Sequence, residues 1–247
     1  MFSWKSIRIA CFILLILPVV HLTYLVSRST MESLDNSPAA WAREMNAYAK
    51  ADARQALPEN PIVVIGGQRV KLWRNLQDIL APRSVLMRGL GDAIIEDLTF
   101  NYPQLVGYYR PDTIVLMPGS SEFNLRDNKS AEQLVAAIRE LAALDATHGV
   151  TQHFYIYTPL KTPLHPQDYE TIDETTRLLD EWAATDARVS ILNANVLLSD
   201  TSGKPMARYF RADGTNLNEH GYLRLSVLLQ AQVDTDALTQ GEYVTLP

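Results

Sequence analysis

The stretch of sequence that decides the fold is PIVVIGGQRVKLW, which runs over Pro61–Trp73. Its apolar part, Ile62–Ile65, is rich in β-branched residues and is typical of a strand that is buried on both faces of a parallel sheet. Gly66 and Gly67 end the strand, and a helix-like segment follows. Ligands of open α/β sheets bind at the carboxyl ends of strands, where glycines let the backbone approach closely. The turn is therefore a candidate site, although Gln68, and not Ser, Cys or Thr, occupies the natural place for a nucleophile.

Strand-like and helix-like segments alternate along the rest of the chain. The predicted strands are Ile62–Ile65, Ser84–Met87, Thr113–Met117, His153–Tyr157 and Val189–Leu192. The predicted helices are Val70–Leu80, Ala93–Asn101, Ala131–His148, Asp168–Thr185 and Asn218–Gln232. In the second of these helices, Leu98 and Phe100 are predicted to face inward. The alternation predicts an α/β fold with a parallel sheet, right-handed crossovers and helices on both faces.

An uncharged apolar segment, Ile9–Val26, precedes the predicted sheet domain. As a helix its 18 residues span about 27 Å, which is close to the thickness of a bilayer core. Lys5 and Arg8 come before it, which predicts a single-pass anchor in a bacterial inner membrane, with a cytoplasmic N-terminus and a periplasmic main domain. The alternative is a cleaved signal peptide, for which Leu25–Ser29 is a poor cleavage site.

The chain is predicted to divide into four parts. These are residues 1–28, a cytoplasmic tip and transmembrane anchor; residues 29–60, a spacer and leading helix; residues 61–232, the sheet domain; and residues 233–247, a peripheral tail. In the leading helix, Ala39–Leu57, the residues Trp41, Met45 and Tyr48 stand at helical spacing, and Asp52 interrupts the stripe. The helix is therefore expected either to pack on the domain or to stand as a stalk.

Charge and composition exclude several classes of function. The net charge is −6, and it becomes −9 without Met1–Arg28, which holds three basic residues and no acidic one. Nucleic acids and anionic lipids are bound through basic patches, so neither is an expected ligand of the domain. The one cysteine, Cys11, lies in the apolar segment, so the domain has no disulfide, which is compatible with the periplasm. No pair of His, Asp or Glu has metal-ligand spacing, and no cofactor is expected.

Four short blocks within Pro61–Gln230 resemble the catalytic blocks of the SGNH/GDSL hydrolase family. They are Ile65–Gln68 followed by Trp73, Arg88–Asp92, Pro111–Asp112 with Gly119–Glu122, and Asp213–Tyr222. The last block is the most specific, because it matches the family pattern Asp-Gly-x-His-Leu-Asn-x-x-Gly-Tyr at every named position except the His. The resemblance implies a flavodoxin-like three-layer α/β/α fold with about five parallel strands.

Most of the catalytic residues of that family are replaced at the matching positions. The nucleophilic Ser falls on Gln68, and the Gly and Asn that complete the oxyanion hole fall on Asp92 and Ser121. In the last block the triad Asp is kept as Asp213, whereas the triad His falls on Asn216. The resemblance therefore implies a degenerate member of the family.

These substitutions remove the groups that acyl transfer requires, namely a nucleophile, a general base and oxyanion donors. The Gln68 amide is not a nucleophile, and Asn216 takes up no proton near neutral pH. A carboxylate at Asp92 opposes negative charge in the transition state. The matching residues are instead predicted to line one binding cleft whose donors and acceptors suit sugar hydroxyls. These residues are Gln68, Asp92, Ser121, Asp213 and Asn216.

Other residues offer alternatives. A relocated pair, formed by Ser121 or Ser120 with His220, would make the protein an active carbohydrate esterase or O-acyltransferase. His165 stands on a loop at the same strand ends and is a further candidate for a polar pocket residue. Trp73 is predicted to be a core residue, with a sugar-stacking platform as the alternative.

The resemblance also implies a role in the cell envelope. Exported relatives of the family commonly add or remove acetyl groups on envelope polysaccharides. The expected role is accessory and non-catalytic: the protein binds or positions a glycan or a partner in exopolysaccharide O-acetylation, with bacterial cellulose among the candidate polymers. The expected partners are the inner membrane, a polysaccharide, and a membrane O-acyltransferase or glycan synthase complex. A third alternative is a structural partner protein whose cleft is vestigial.

Overall fold

The computed structural model describes residues 14–27, 38–124 and 126–240. It divides into two compact units, Met1–Ala40 and Trp41–Pro247. In the first unit, residues 14–27 are helical. No helix within the described residues is both long enough and apolar enough to cross a bilayer. The predicted anchor, Ile9–Val26, begins outside the described residues, and it stays a prediction.

The second unit is built on a five-stranded parallel sheet. Its strands are β1 (Ile62–Gly66), β2 (Val85–Gly89), β3 (Thr113–Met117), β4 (His153–Tyr157) and β5 (Val189–Leu192). They are arranged in the order β2-β1-β3-β4-β5. This is the strand order of the flavodoxin-like doubly wound fold, so the predicted sheet is confirmed.

Among the described residues, this unit contains eight α-helices. They are α1 (Ala42–Asp52), α2 (Gln68–Leu72), α3 (Leu76–Ile79), α4 (Ile95–Leu105), α5 (Ala131–His148), α6 (Tyr169–Ala183), α7 (Asn195–Leu198) and α8 (Glu219–Gln240). Single turns of 3₁₀-helix occur at Pro38–Trp41, Gly107–Tyr109, Ser120–Glu122, Pro166–Asp168 and Ala207–Tyr209.

The sheet separates two apolar cores, because successive strand residues point to opposite faces. On one face, Val63 and Leu116 pack with residues of α1, α4, α5 and α6. On the other face, Val64 and Val115 pack with residues of α2, α3, α7 and α8. The result is the three-layer α/β/α arrangement that the resemblance implied.

Trp73 belongs to the second core and is 2% exposed. Its Nε1 donates to Ser226 Oγ at 3.0 Å, and its ring lies 5.8 Å from the rings of both Tyr157 and Tyr222. The core interpretation of Trp73 is therefore confirmed, and a sugar-stacking role is excluded. The predicted helix Val70–Leu80 was wrong as a single helix, because the chain breaks between α2 and α3 where Trp73 enters the core.

Two helix predictions also need correction. Leu98 faces the core as predicted, but Phe100 is 65% exposed, because α4 begins at Ile95 and turns Leu98 and Tyr102 toward the core. The closing helix α8 continues to Gln240, so the predicted tail is helical in its first part. The added turns are held by the Tyr155 hydroxyl, which donates to an Asp236 oxygen at 2.7 Å. Residues 241–247 lie outside the described residues.

The leading helix α1 packs on the sheet domain, so the stalk alternative is wrong. Met45 is buried, and the Tyr48 hydroxyl donates to the Gly89 carbonyl oxygen at 2.6 Å. Asp52, which interrupts the apolar stripe in the sequence, accepts from Arg88 Nη2 at 2.7 Å. The helix ends at Asp52 and not at the predicted Leu57, and this ion pair joins its last residue to Arg88 of β2.

Candidate functional site

The loops after β1, β2 and β3 pack against one another at the carboxyl edge of the sheet. The Leu90 amide donates to the Gly66 carbonyl oxygen at 2.9 Å, which joins the first two loops. A Cβ on Gly67 would stand 3.1 Å from the Gly91 carbonyl oxygen, and one on Gly119 would stand 3.8 Å from the Ala93 carbonyl oxygen. The backbone therefore brings the three loops that carry Gln68, Asp92 and Ser121 to one place.

Gly66 makes this close approach possible. Its φ is +152°, a backbone conformation that residues other than glycine rarely adopt. A Cβ there would lie 2.3 Å from the Met117 carbonyl oxygen of the neighbouring strand. Only glycine fits between β1 and β3 at this point.

The last block reaches the same edge. Arg69 Nη2 donates to the Thr215 carbonyl oxygen at 3.2 Å, and the Tyr222 hydroxyl donates to the Arg69 carbonyl oxygen at 2.8 Å. On its other side the block meets the loop after β4, where the Leu164 amide donates to the Gly214 carbonyl oxygen at 3.2 Å. The turn that holds Asp213 and Asn216 thus stands beside the turn that follows β1.

Asp213 and Asn216 are bonded to each other. Asp213 Oδ1 accepts from the amides of Thr215 at 2.9 Å and Asn216 at 2.8 Å, and Asn216 Nδ2 donates to Oδ2 at 2.9 Å. Burial alone would raise the pKa of Asp213, but the bonds from Asn216 and Thr215 hold it below its usual value. The carboxylate therefore orients an amide, and that amide takes up no proton.

The other predicted residues differ in exposure. Gln68 is half-buried in the first turn of α2, and Asp92 is exposed. Ser121 is 4% exposed. No hydrogen bond within the described residues joins the Ser121 hydroxyl to His220. His220 instead lines a separate groove of about 770 Å³ with Arg208 and Arg224 on the outer side of α8, so the structure does not bring the relocated pair together.

Three other histidines of the sheet domain lie near polar or aromatic side chains. His165 is half-buried, and its Nδ1 lies 3.2 Å from Gln167 Nε2. The His148 ring lies 5.1 Å from the Tyr102 ring, and His153 Nδ1 lies 3.8 Å from an Asp236 oxygen. Among the described residues, no group of three His, Cys, Asp or Glu side chains is placed to hold a metal ion.

Two charged residues at this edge were missed by the sequence reasoning. Glu122, directly after Ser121, is fully buried; it accepts from the Ile95 amide and from Lys129 Nζ, both at 2.9 Å. Burial raises the pKa of Glu122 to about 7. Arg69, directly after Gln68, is 4% exposed, and burial lowers its pKa to about 10. The available signal was position, since each stands next to a predicted site residue.

Solved structures share this architecture. A GDSL-like lipase from Bacteroides thetaiotaomicron superposes with a TM-score of 0.62 at 16% identity, covering 78% of this chain and 98% of its own. The chain has the GDSL fold. A lipase/acylhydrolase from Enterococcus faecalis gives a TM-score of 0.57 at 16% identity, with 71% and 96% covered. A catalytic mutant of an acetylxylan esterase from Geobacillus stearothermophilus gives 0.55 at 13% identity, with 71% and 94% covered.

Sequence comparison adds nothing to this likeness. No protein-family model matches the chain, and no curated protein matches it. The resemblance to the SGNH/GDSL hydrolases is thus confirmed as a likeness of fold to GDSL lipases and acylhydrolases. The activity of this chain has to be argued from its own residues.

Proposed function

We propose that this chain is a non-catalytic protein with the GDSL fold, which binds or positions a glycan or a partner in envelope polysaccharide O-acetylation. Bacterial cellulose is one candidate polymer. One observation supports the proposal: the Asp213 carboxylate accepts a hydrogen bond from Asn216, the residue that matches the histidine base in the sequence resemblance. The hydrogen bond that orients the base is kept, and the base is absent.

The chemistry of the other positions supports the same conclusion. Gln68 offers an amide where a nucleophile would stand, and loss of nucleophile or base removes most of the rate enhancement of a triad enzyme. Each lost oxyanion donor costs a further ~10²–10³ in rate. Asp92 adds a carboxylate near the place where an oxyanion would form. No single substitution of this set is expected to restore activity.

A glycan ligand is supported by the polar groups that remain. Gln68 and Ser121 are neutral groups that donate and accept hydrogen bonds, and Asp92 is a carboxylate acceptor. Such a mixture suits sugar hydroxyls better than an acyl carbonyl. The acetylxylan esterase among the structural neighbours is a carbohydrate-active protein of the same fold, which favours a carbohydrate here.

Membrane anchoring is part of the proposal. The uncharged segment Ile9–Val26, with Lys5 and Arg8 before it, supports a single-pass inner-membrane anchor that leaves the GDSL-fold domain in the periplasm. The partner would then be a membrane O-acyltransferase or a glycan synthase complex. Protease protection in spheroplasts tests the topology, and a domain that resists external protease would contradict it.

The experiment for the cleft uses the purified full-length chain. Hydrolysis of p-nitrophenyl acetate is expected to match the buffer rate. Calorimetric titration with cellotetraose and an alginate-type tetrasaccharide is expected to show binding that Gln68→Ala weakens. Gln152→Ala, an exposed glutamine before β4 at the other edge of the sheet, is the matched control and is expected to bind normally.

Two outcomes would refute the proposal. Ester turnover that is lost in Ser121→Ala or His220→Ala, and kept in Gln68→Ala, would show an active esterase or O-acyltransferase with relocated residues. Absence of binding to both oligosaccharides would favour a structural partner protein with a vestigial cleft.

A further inference from the structure

Arg69 is a buried cation at the sheet edge where the first and last blocks meet. It lies in the first turn of α2, next to Gln68, and is 4% exposed. Its Nη2 donates to the Thr215 carbonyl oxygen at 3.2 Å, which ties it to the turn that holds Asp213 and Asn216. The guanidinium therefore lies between the first and the last block of the site.

Arg69 differs from the other buried arginines because it has no carboxylate partner. The buried Arg88 guanidinium pairs with Asp52 at 2.7 Å, and the buried Arg126 guanidinium pairs with Asp97. Within the described residues no carboxylate lies at ion-pair distance from Arg69. Buried charges in proteins are ordinarily paired, because an unpaired one loses its hydration without compensation.

The hydrogen-bonding capacity of Arg69 is also unfilled. Its Nε is fully buried and has no partner. Its Nη1 makes no hydrogen bond among the described residues either. The guanidinium therefore keeps hydrogen-bond donors that no group among the described residues fills.

Neither of the nearest acidic residues serves as a carboxylate partner for Arg69. Asp213 is close enough to favour the charged form of Arg69, yet its two oxygens already accept three hydrogen bonds from Thr215 and Asn216. Asp92 is exposed. Arg211 adds a positive charge beside Asp213 and offsets part of its repulsion of an anion.

We infer that Arg69 binds a carboxylate of the ligand, so that the cleft takes an acidic, uronate-bearing glycan in preference to a neutral one. This inference rests on the proposed function, since it names the class of glycan. It also narrows that function, because cellulose carries no carboxylate. A guanidinium suits the ligand class, since it donates two parallel hydrogen bonds to a carboxylate.

The test compares one acidic and one neutral tetrasaccharide on the full-length protein at pH 7. The wild type is expected to bind an alginate-type tetrasaccharide more tightly than cellotetraose in calorimetry. Arg69→Met is expected to lose about 10- to 100-fold in affinity for the acidic sugar, the value of a hydrogen bond to a charged group. Its affinity for cellotetraose is expected to stay unchanged. Arg74→Met, at an exposed arginine in the same segment, is the matched control and is expected to keep both affinities.

The stability of the ligand-free protein distinguishes a ligand-binding role of Arg69 from a structural one, because a structural role predicts a lower unfolding temperature for Arg69→Met. Arg69→Met keeps the apolar stem and removes an unpaired buried charge, so the midpoint of thermal unfolding without ligand is expected to stay at or above that of the wild type. If Arg69→Met does not fold, Arg69→Lys keeps the charge without the planar fork. It is expected to weaken, and not abolish, the preference for the acidic sugar.

Three results separate the inference from the proposed function. Binding of cellotetraose but not of the acidic sugar, or an acidic preference that survives Arg69→Met, overturns the inference and leaves the function standing. If Arg224→Met loses binding of the acidic sugar and Arg69→Met keeps it, the sugar carboxylate binds in the groove lined by His220, and the inference is also overturned. If neither sugar binds, the proposed function fails, and sodium acetate decides the role of Arg69. A rise in unfolding temperature over sodium chloride, lost in Arg69→Met, supports a carboxylate site, and no rise overturns it.

Discussion

The ion pair between Asp52 and Arg88 is expected to hold the leading helix on the sheet domain. Arg88 Nη2 donates to Asp52 Oδ1 at 2.7 Å, and Arg88 Nε donates to the Tyr109 hydroxyl at 2.9 Å, while that hydroxyl donates to Asp52. The side chains of Arg88 and Asp52 are only 8% and 7% exposed. The guanidinium also lies over the Tyr48 ring at 4.8 Å. Replacing Asp52 by leucine leaves Arg88 buried without its anion.

The magnitude follows from this burial. Removal of one partner of a buried pair costs about 3–5 kcal/mol, and solvent screens little of that effect at such low exposure. That is a large part of the about 5–15 kcal/mol by which a domain is stable. Replacing both partners, as in Asp52→Leu with Arg88→Met, leaves no unpaired charge. The double variant is therefore expected to be far more stable than the sum of the two single changes would give.

Urea unfolding of the wild type, the two single variants and the double variant measures these changes in the free energy of unfolding. Hydrogen exchange on the Asp52→Leu variant is expected to show lost protection over α1 while the sheet stays protected. Arg177→Met is the control, because it removes only exposed ion pairs, to Glu174 and Glu181, and is expected to leave the midpoint nearly unchanged. A cost below about 1 kcal/mol for Asp52→Leu, or additive single changes, would refute the reasoning.

Three further predictions concern the sheet and its edges. Burial raises the pKa of Glu122 from 4.5 to about 7, so the unfolded chain releases a proton that the native state keeps, and stability falls as the pH rises through that window. Glu122→Gln is expected to flatten this fall in urea midpoints between pH 5 and 7, and an equally steep fall would contradict it. Gly66→Ala is expected to cost about 1–3 kcal/mol or more in thermal unfolding, because its Cβ would meet the Met117 carbonyl oxygen at 2.3 Å. Tyr155→Phe is expected to cost about 1 kcal/mol and to speed hydrogen exchange in the last turns of α8, where the Asp236 bond is lost.

The fold was predictable where the signals are local. The helix α5 begins after Ser130, whose hydroxyl accepts from the Gln133 amide at 3.3 Å, and ends before Gly149, which adopts a φ of 63°. Both residues are ordinary start and stop signals, so both ends were predicted. Errors arose where distant residues decide. Phe100 is turned outward by the register of α4, and the length of α8 depends on Asp236 meeting a strand residue.

The sequence predicted which segments meet at the sheet edge, and it did not predict the burial of the charged residues there. The order of the blocks located the start of α2, with Gln68, and the turn with Asn216 at the same sheet edge. Nothing local in the sequence shows that Arg69 and Glu122 are buried, since both residue types are ordinarily exposed. Their burial depends on the packing of loops that are remote in sequence, and so do their shifted pKa values.

The last block shows why a motif match identifies this fold without identifying an activity. Asp213 stabilises its own turn, because its carboxylate accepts hydrogen bonds from the amides of Thr215 and Asn216. This structural role does not depend on a histidine. Asn218 Nδ2 donates to the Arg208 carbonyl oxygen at 2.7 Å, and a Cβ on Gly221 would lie 2.5 Å from the Tyr209 carbonyl oxygen. The residues that produce the resemblance are therefore those that shape the turn. A match to these residues therefore indicates the turn and the fold, and it leaves the activity of the chain open to experiment.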